Sequence, residues 1–111
     1  EGEEDLTVMR VVAEGLLDGA TTRLTWDLLD RADPTTGYSS MSRTTAYPCT
    51  SVARMLLDRT IRTPGVHAPE HLVPMRGVLD RILKDMAARG VTYRAKVERL
   101  DGPIASSRKR R

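Results

Sequence analysis

A chain of 111 residues with 40% hydrophobic and 30% charged side chains has the size and make-up of one soluble domain, able to bury about two-thirds of its unfolded surface. The net charge is +3, but Arg108-Lys109-Arg110-Arg111 supplies four cations, and without them the balance is −1; the body of the domain is no polycation, which argues against a nucleic-acid footprint. A single Cys excludes an internal disulfide and needs no oxidising compartment, and no apolar run approaches the roughly 20 residues of a membrane span, so a cytoplasmic location is expected.

Glu1-Gly2-Glu3-Glu4-Asp5 has neither the basic nor the apolar region of a signal peptide. It also lacks an initiating Met, as a piece of a longer chain would. Phe is absent, and the aromatic side chains are Trp26, Tyr38, Tyr47 and Tyr93, so the core must be aliphatic. Residues 6–17 are rich in β-branched side chains and read as a strand. Asp18-Gly19 suits a type I′ hairpin turn. In residues 21–29, Leu24, Trp26 and Leu28 alternate with Arg23, Thr25 and Asp27, the pattern of a half-buried strand.

Residues 30–40 are turn chemistry, centred on Asp33-Pro34-Thr35-Thr36-Gly37. A first helix is expected over 48–60, with Pro48 at its first position and Cys49, Val52, Ala53, Leu56 and Leu57 as its apolar stripe. Thr63-Pro64-Gly65 ends it, and Pro69-Glu70 can open a short helical turn. A second helix over 75–89 carries Met75, Val78, Leu79, Ile82, Leu83 and Met86, with Gly90 as its left-handed cap. Residues 91–99 alternate again and form a third strand; 101–111 is a basic, flexible tail. Residues 1–100 therefore form one α+β domain: a small antiparallel or mixed sheet with two helices on one face. Its short sheet has exposed edges that call for further strands or a second subunit.

Ser40-Met41-Ser42-Arg43-Thr44-Thr45-Ala46-Tyr47-Pro48 crowds donors at the expected helix entrance. Capping by a Thr hydroxyl and surface pairing of Arg43 with Asp27, Asp30 or Asp33 explain it simply. The alternative is an anion site, in which a helix N-terminus and a planar guanidinium hold a carboxylate. His67 and His71 are four residues apart, but the prolines around them and the lack of further ligands argue against zinc. Cys49 reads as core packing rather than as a nucleophile. No catalytic triad, phosphate loop or carboxylate pair stands out.

The series Trp26-Asp27-Leu28-Leu29-Asp30, Asp33, Thr36-Gly37 and Ser40 to Pro48, continued by Pro64-Gly65-Val66-His67-Ala68-Pro69-Glu70 and Arg89-Gly90-Val91-Thr92-Tyr93-Arg94, resembles the C-terminal domain of saccharopine dehydrogenase-like oxidoreductases. That group includes saccharopine dehydrogenase and lysine 6-dehydrogenase. The likeness runs in order over residues 6–98. It implies a parent whose separate Rossmann domain binds NAD or NADP, with none bound by this fragment. It also implies hydride transfer at a C–N bond of an amino acid in lysine metabolism. This domain would form the substrate side and a homodimer through its sheet, and would be inactive alone. Under the resemblance, Arg43, Thr44, Thr45 and Tyr47 become the substrate-binding candidates, facing an amino-acid carboxylate. The competing expectations are a non-enzymatic α+β self-association module and a basic-tailed nucleic-acid binder.

Overall fold

The computed structural model describes residues 5–100. Two long strands, β1 (Leu6–Leu17) and β2 (Ala20–Arg31), form a hairpin, with β3 (Tyr93–Arg99) on the other side of β2. Both pairings are antiparallel. Between β2 and β3 come three helices, α1 (Ser40–Leu57), α2 (Pro69–Leu72) and α3 (Val78–Ala87). The α+β expectation holds, with a purely antiparallel sheet. The hairpin turn is the expected one: Asp18 (φ 51°) and Gly19 (φ 77°) both take left-handed backbone, which a type I′ turn requires.

The register sorts the side chains of the sheet into two faces. On one, Arg10 lies opposite Asp27 and Asp27 opposite Arg94, while Glu14 lies opposite Arg23 and Arg23 opposite Glu98. On the other, Val11 lies opposite Trp26, Met9 opposite Leu28, and Leu28 opposite Tyr93. The helices cover only one end of this apolar face. Leu28, Met86 and Val91 form a core cluster there with Tyr47, Ile82 and Tyr93. A second cluster lies among the helices, where Met55, Ile61 and Val78 pack with Val52, Leu72 and Met75. Ile82 touches both clusters. Val11 and Val97, farther along the sheet, remain 45% and 63% exposed.

The first helix differs from expectation. It begins at Ser40, eight residues before Pro48, and Pro48 lies inside it. Ser39 caps it, accepting from the Ser42 N–H at 3.1 Å. Its buried positions are Ser40, Arg43, Ser51 and Met55, which follow helical spacing but are mostly polar. The expected stripe faces elsewhere: Cys49, Ala53, Leu56 and Leu57 are exposed. Polar residues take the inward face because each has a fixed partner. Ser51 Oγ, for one, donates to Asp85 Oδ2 on α3 at 2.7 Å. The second expected helix is shorter at both ends, as α3; its buried Val78 and Met86 and half-buried Ile82 and Leu83 keep the expected face. Gly90 (φ 81°) ends it in left-handed backbone, and the Val91 N–H donates back to Met86 O at 3.0 Å, a closure typical of helix C-termini. The basic tail lies outside the described residues.

Candidate functional site

The entrance of α1 already holds an anion, and it is the chain's own. The Asp5 carboxylate accepts from the Ser40 N–H at 2.7 Å and the Met41 N–H at 2.9 Å. Those two donors, Met41 first, hold the Asp5 carboxyl below its usual range. With Ser39 serving Ser42, the early N–H groups of α1 are engaged. The four candidates picked out from the sequence thus sit within the helix, not at its free end.

Arg43 is the centre of the arrangement. Its side chain is 8% exposed and lies against two aspartates: Nη2 is 3.2 Å from Asp30 Oδ1 and Nη1 is 3.1 Å from Asp33 Oδ2. Nη2 also donates to the Arg89 carbonyl at 3.1 Å. Asp30 in turn accepts from Ser40 Oγ at 2.8 Å, and Ser40 Oγ lies 2.8 Å from Thr7 Oγ1. One guanidinium thereby joins the end of β2, the loop after it, the first turns of α1 and the turn between α3 and β3. Asp33 is held low chiefly by the Thr35 N–H and the Thr36 hydroxyl, with Arg43 adding to the effect. Two of the three surface partners considered for Arg43 are the observed ones, but the pairing is buried. Asp27 instead pairs with Arg10, 2.5 Å from its Nε.

A substrate carboxylate at Arg43 would have to displace Asp30 or Asp33. Arg43 Nε is buried without a hydrogen-bond partner among the described residues. Thr44 Oγ1 is turned back onto its own helix, 2.9 Å from Ser40 O. Thr45 is exposed. The Tyr47 ring is half-buried against the Leu28–Met86–Val91 cluster, with the guanidinium carbons of Arg43 and Arg89 at 5.9 and 5.3 Å from its centroid, within cation–π range.

Beside this clamp an apolar cleft of about 640 Å³ opens between the helices and the sheet. Trp26 and Val11 of the sheet, Pro48 and Val52 of α1, and Leu79 and Leu83 of α3 line it. Cys49 and His67 are also in its wall. Burial pushes the Tyr93 phenol, which shares that wall, upward. His67 Nε2 lies 3.2 Å from Thr63 O. His71 is exposed in α2, and no group of three or more His, Cys, Asp or Glu is placed to hold a metal ion among the described residues. Among the same residues no helix is long and apolar enough to cross a membrane.

Sequence reasoning missed Asp5, Ser51 and Asp85. Their partners lie 34 to 36 residues away, and no local signal marks such pairs.

The geometry defines a class first: a two-layer α+β domain, clamped by buried charge at one end and open along an apolar cleft and sheet face. The chain belongs to the saccharopine dehydrogenase C-terminal domain family, whose model matches residues 1–91. It is 33% identical over 86 residues to the saccharopine dehydrogenase [NADP(+), L-glutamate-forming] of Schizosaccharomyces pombe, which covers 77% of this chain and 19% of that protein. The chain thus spans about a fifth of that relative's length. No solved structure matches.

Proposed function

We propose that this chain is the substrate-side and dimer-forming domain of an NAD(P)-dependent oxidoreductase acting at a C–N bond of an amino acid. One observation carries the reading: the chain matches a family defined as the C-terminal domain of saccharopine dehydrogenases and aligns with a fifth of one such enzyme. The open apolar cleft supports it, since a neighbouring part of the parent closing over that cleft would exclude water from a reacting carbon.

The dinucleotide belongs elsewhere in the parent. A pyrophosphate seat needs free N–H groups at a helix N-terminus following a parallel strand. Here the sheet is antiparallel, and Asp5 fills the entrance of the long helix. These residues do not fit the group, and the chain by itself does not oxidise substrate in this reading.

The four candidate residues then divide the work. Arg43, paired with Asp30 and Asp33, positions the turn that carries the others. Tyr47 is held as a wall by two guanidinium groups. Thr44 is committed to its own helix. Thr45, exposed on that turn, is the donor available to a substrate carboxylate. A hydrogen bond to a charged group contributes about 1.5–3 kcal/mol, so Thr45→Ala in the parent enzyme should raise KM for the amino acid roughly tenfold or more and leave KM for the dinucleotide unchanged. Unaltered kinetics would remove Thr45 from the site.

A further inference from the structure

Strand β1 is the outer strand of the sheet and is 12 residues long. An edge of that length offers a row of backbone donors and acceptors to another strand. The Ala32 N–H donates to Asp5 O across the hairpin at 3.1 Å. Hydrogen-bonded pairs alternate along an antiparallel ladder, so the odd-numbered residues of β1 bond to β2. The N–H and C=O groups of Val8, Arg10, Val12, Glu14 and Leu16 therefore point outward. Val8 and Leu16 are 71% and 72% exposed.

The charges on this face are arranged in two rows across the sheet. Arg10, Asp27 and Arg94 read plus, minus, plus; Glu14, Arg23 and Glu98 read minus, plus, minus. Arg10 Nε lies 2.5 Å from Asp27 Oδ1, and Arg23 Nε lies 2.6 Å from Glu14 Oε1. Each row is thus the complement of the other, and their ends on β1, Arg10 and Glu14, stand symmetrically about Val12.

We propose that a second copy of this chain adds through β1, antiparallel, with the two-fold axis at Val12. This rests on the dimer reading above and names its edge and register. Arg10 then faces the partner copy's Glu14, and Glu14 faces the partner copy's Arg10. Each row becomes six alternating charges across one continuous sheet of six strands. Val8 faces the partner copy's Leu16, so two exposed apolar side chains cover each other. On the apolar face Val11 meets the partner copy's Ala13. The outward backbone groups of both copies fall opposite one another in this register. A slip of two residues in either direction sets Arg10 and Glu14 against apolar side chains. A slip of four residues opposes Arg10 to Arg10 or Glu14 to Glu14, which is repulsive. Charge of this kind selects the register, while strand pairing and apolar contact hold the copies together.

The test uses the full 111-residue chain, by light scattering at tens of micromolar. The expected mass is that of two 12.3 kDa chains. Val12→Pro removes an outward N–H and leaves the β1–β2 ladder intact, so it should halve the mass with an unchanged far-UV circular dichroism spectrum. In a Cys49→Ser background, Val12→Cys should cross-link to itself on oxidation, because directly opposed residues stand about 5.5 Å apart between Cα atoms, within disulfide range. Val8→Cys chains mixed with Leu16→Cys chains should cross-link to each other and not to themselves. The cysteine variants report the register even if Val12→Pro fails to fold. A chain that stays monomeric overturns both this proposal and the dimer reading. A dimer that survives a folded Val12→Pro, or that cross-links Val8→Cys to itself, overturns this register alone. The substrate-side reading, tested by the kinetics of Thr45→Ala, is independent of both results.

Discussion

Arg43 shows how a residue chosen for its chemistry can be used for architecture. Its guanidinium meets two carboxylates and a carbonyl while almost fully buried. Breaking a buried pair leaves the other charge stranded, at a cost of about 3–5 kcal/mol. Arg43→Met should lower stability by that amount in urea denaturation, and Arg43→Lys, which keeps the charge but loses the fork, by less. Arg59 is a smaller case. It sits just past α1 in left-handed backbone (φ 62°), where a side chain costs about 1–2 kcal/mol relative to glycine. Arg59→Gly should stabilise the chain by about 1 kcal/mol in the same assay. Asp58 carries a pH dependence. The Thr60 hydroxyl and then Arg81 lower its carboxyl from 3.8 to about 2. Its folded-state value lies below the unfolded one, so between those values the unfolded chain binds more protons. The stability it contributes is complete above about pH 4 and is lost as pH falls towards 2; Asp5 and Asp33 shift in the same direction. Asp58→Asn should reduce the loss of stability on acidification through that window, measured by denaturation at stepped pH.

The elements divide by how locally they are specified. The hairpin was legible because alternation in β2 and the Asp18-Gly19 turn act within a few residues. Helix α3 was legible from its apolar repeat and Gly90. Helix α1 was not. Pro48 is a strong start signal, and the Ser/Thr run before it favours turns in isolation, so local chemistry argued for a later beginning. Asp5 and Asp30, held on β1 and β2, supply the partners that let Ser40 and Met41 begin the helix instead. Pro48 then stands in the ninth position of α1 without an N–H to give to the preceding turn. Replacing proline by alanine in a helix interior gains about 3 kcal/mol, partly offset by the freer unfolded chain. Pro48→Ala should therefore raise stability by about 2 kcal/mol, read from the denaturation midpoint. The cleft beside it should change little, because Pro48 is one of many residues in its wall.

Across the whole molecule, the helices cover one end of the apolar sheet face and leave the rest in water. Val11, Leu17 and Val97 are all more than two-fifths exposed. A domain that spans a fifth of its relative has, in the proposed reading, other surfaces to meet there, and the β1 edge is assigned to a second copy. Dimer formation links folding to concentration. The melting temperature of the chain should therefore rise with its concentration, and Val12→Pro should abolish that dependence; a differential scanning experiment over a hundredfold range reads both.

Alternation, turn residues and a capped apolar repeat are properties of neighbours in the chain, so reading the residues in order was enough to obtain three strands, two main helices and their α+β arrangement. The role of Arg43 could not be obtained that way. Its type allowed either a ligand fork or a structural pair, and the two aspartates it meets were among three candidates. Bringing Asp30 and the Arg89 carbonyl together around it joins positions 13 and 46 residues away. Burial by the surrounding layers then made those contacts obligatory, because a guanidinium removed from water must find its partners inside the fold.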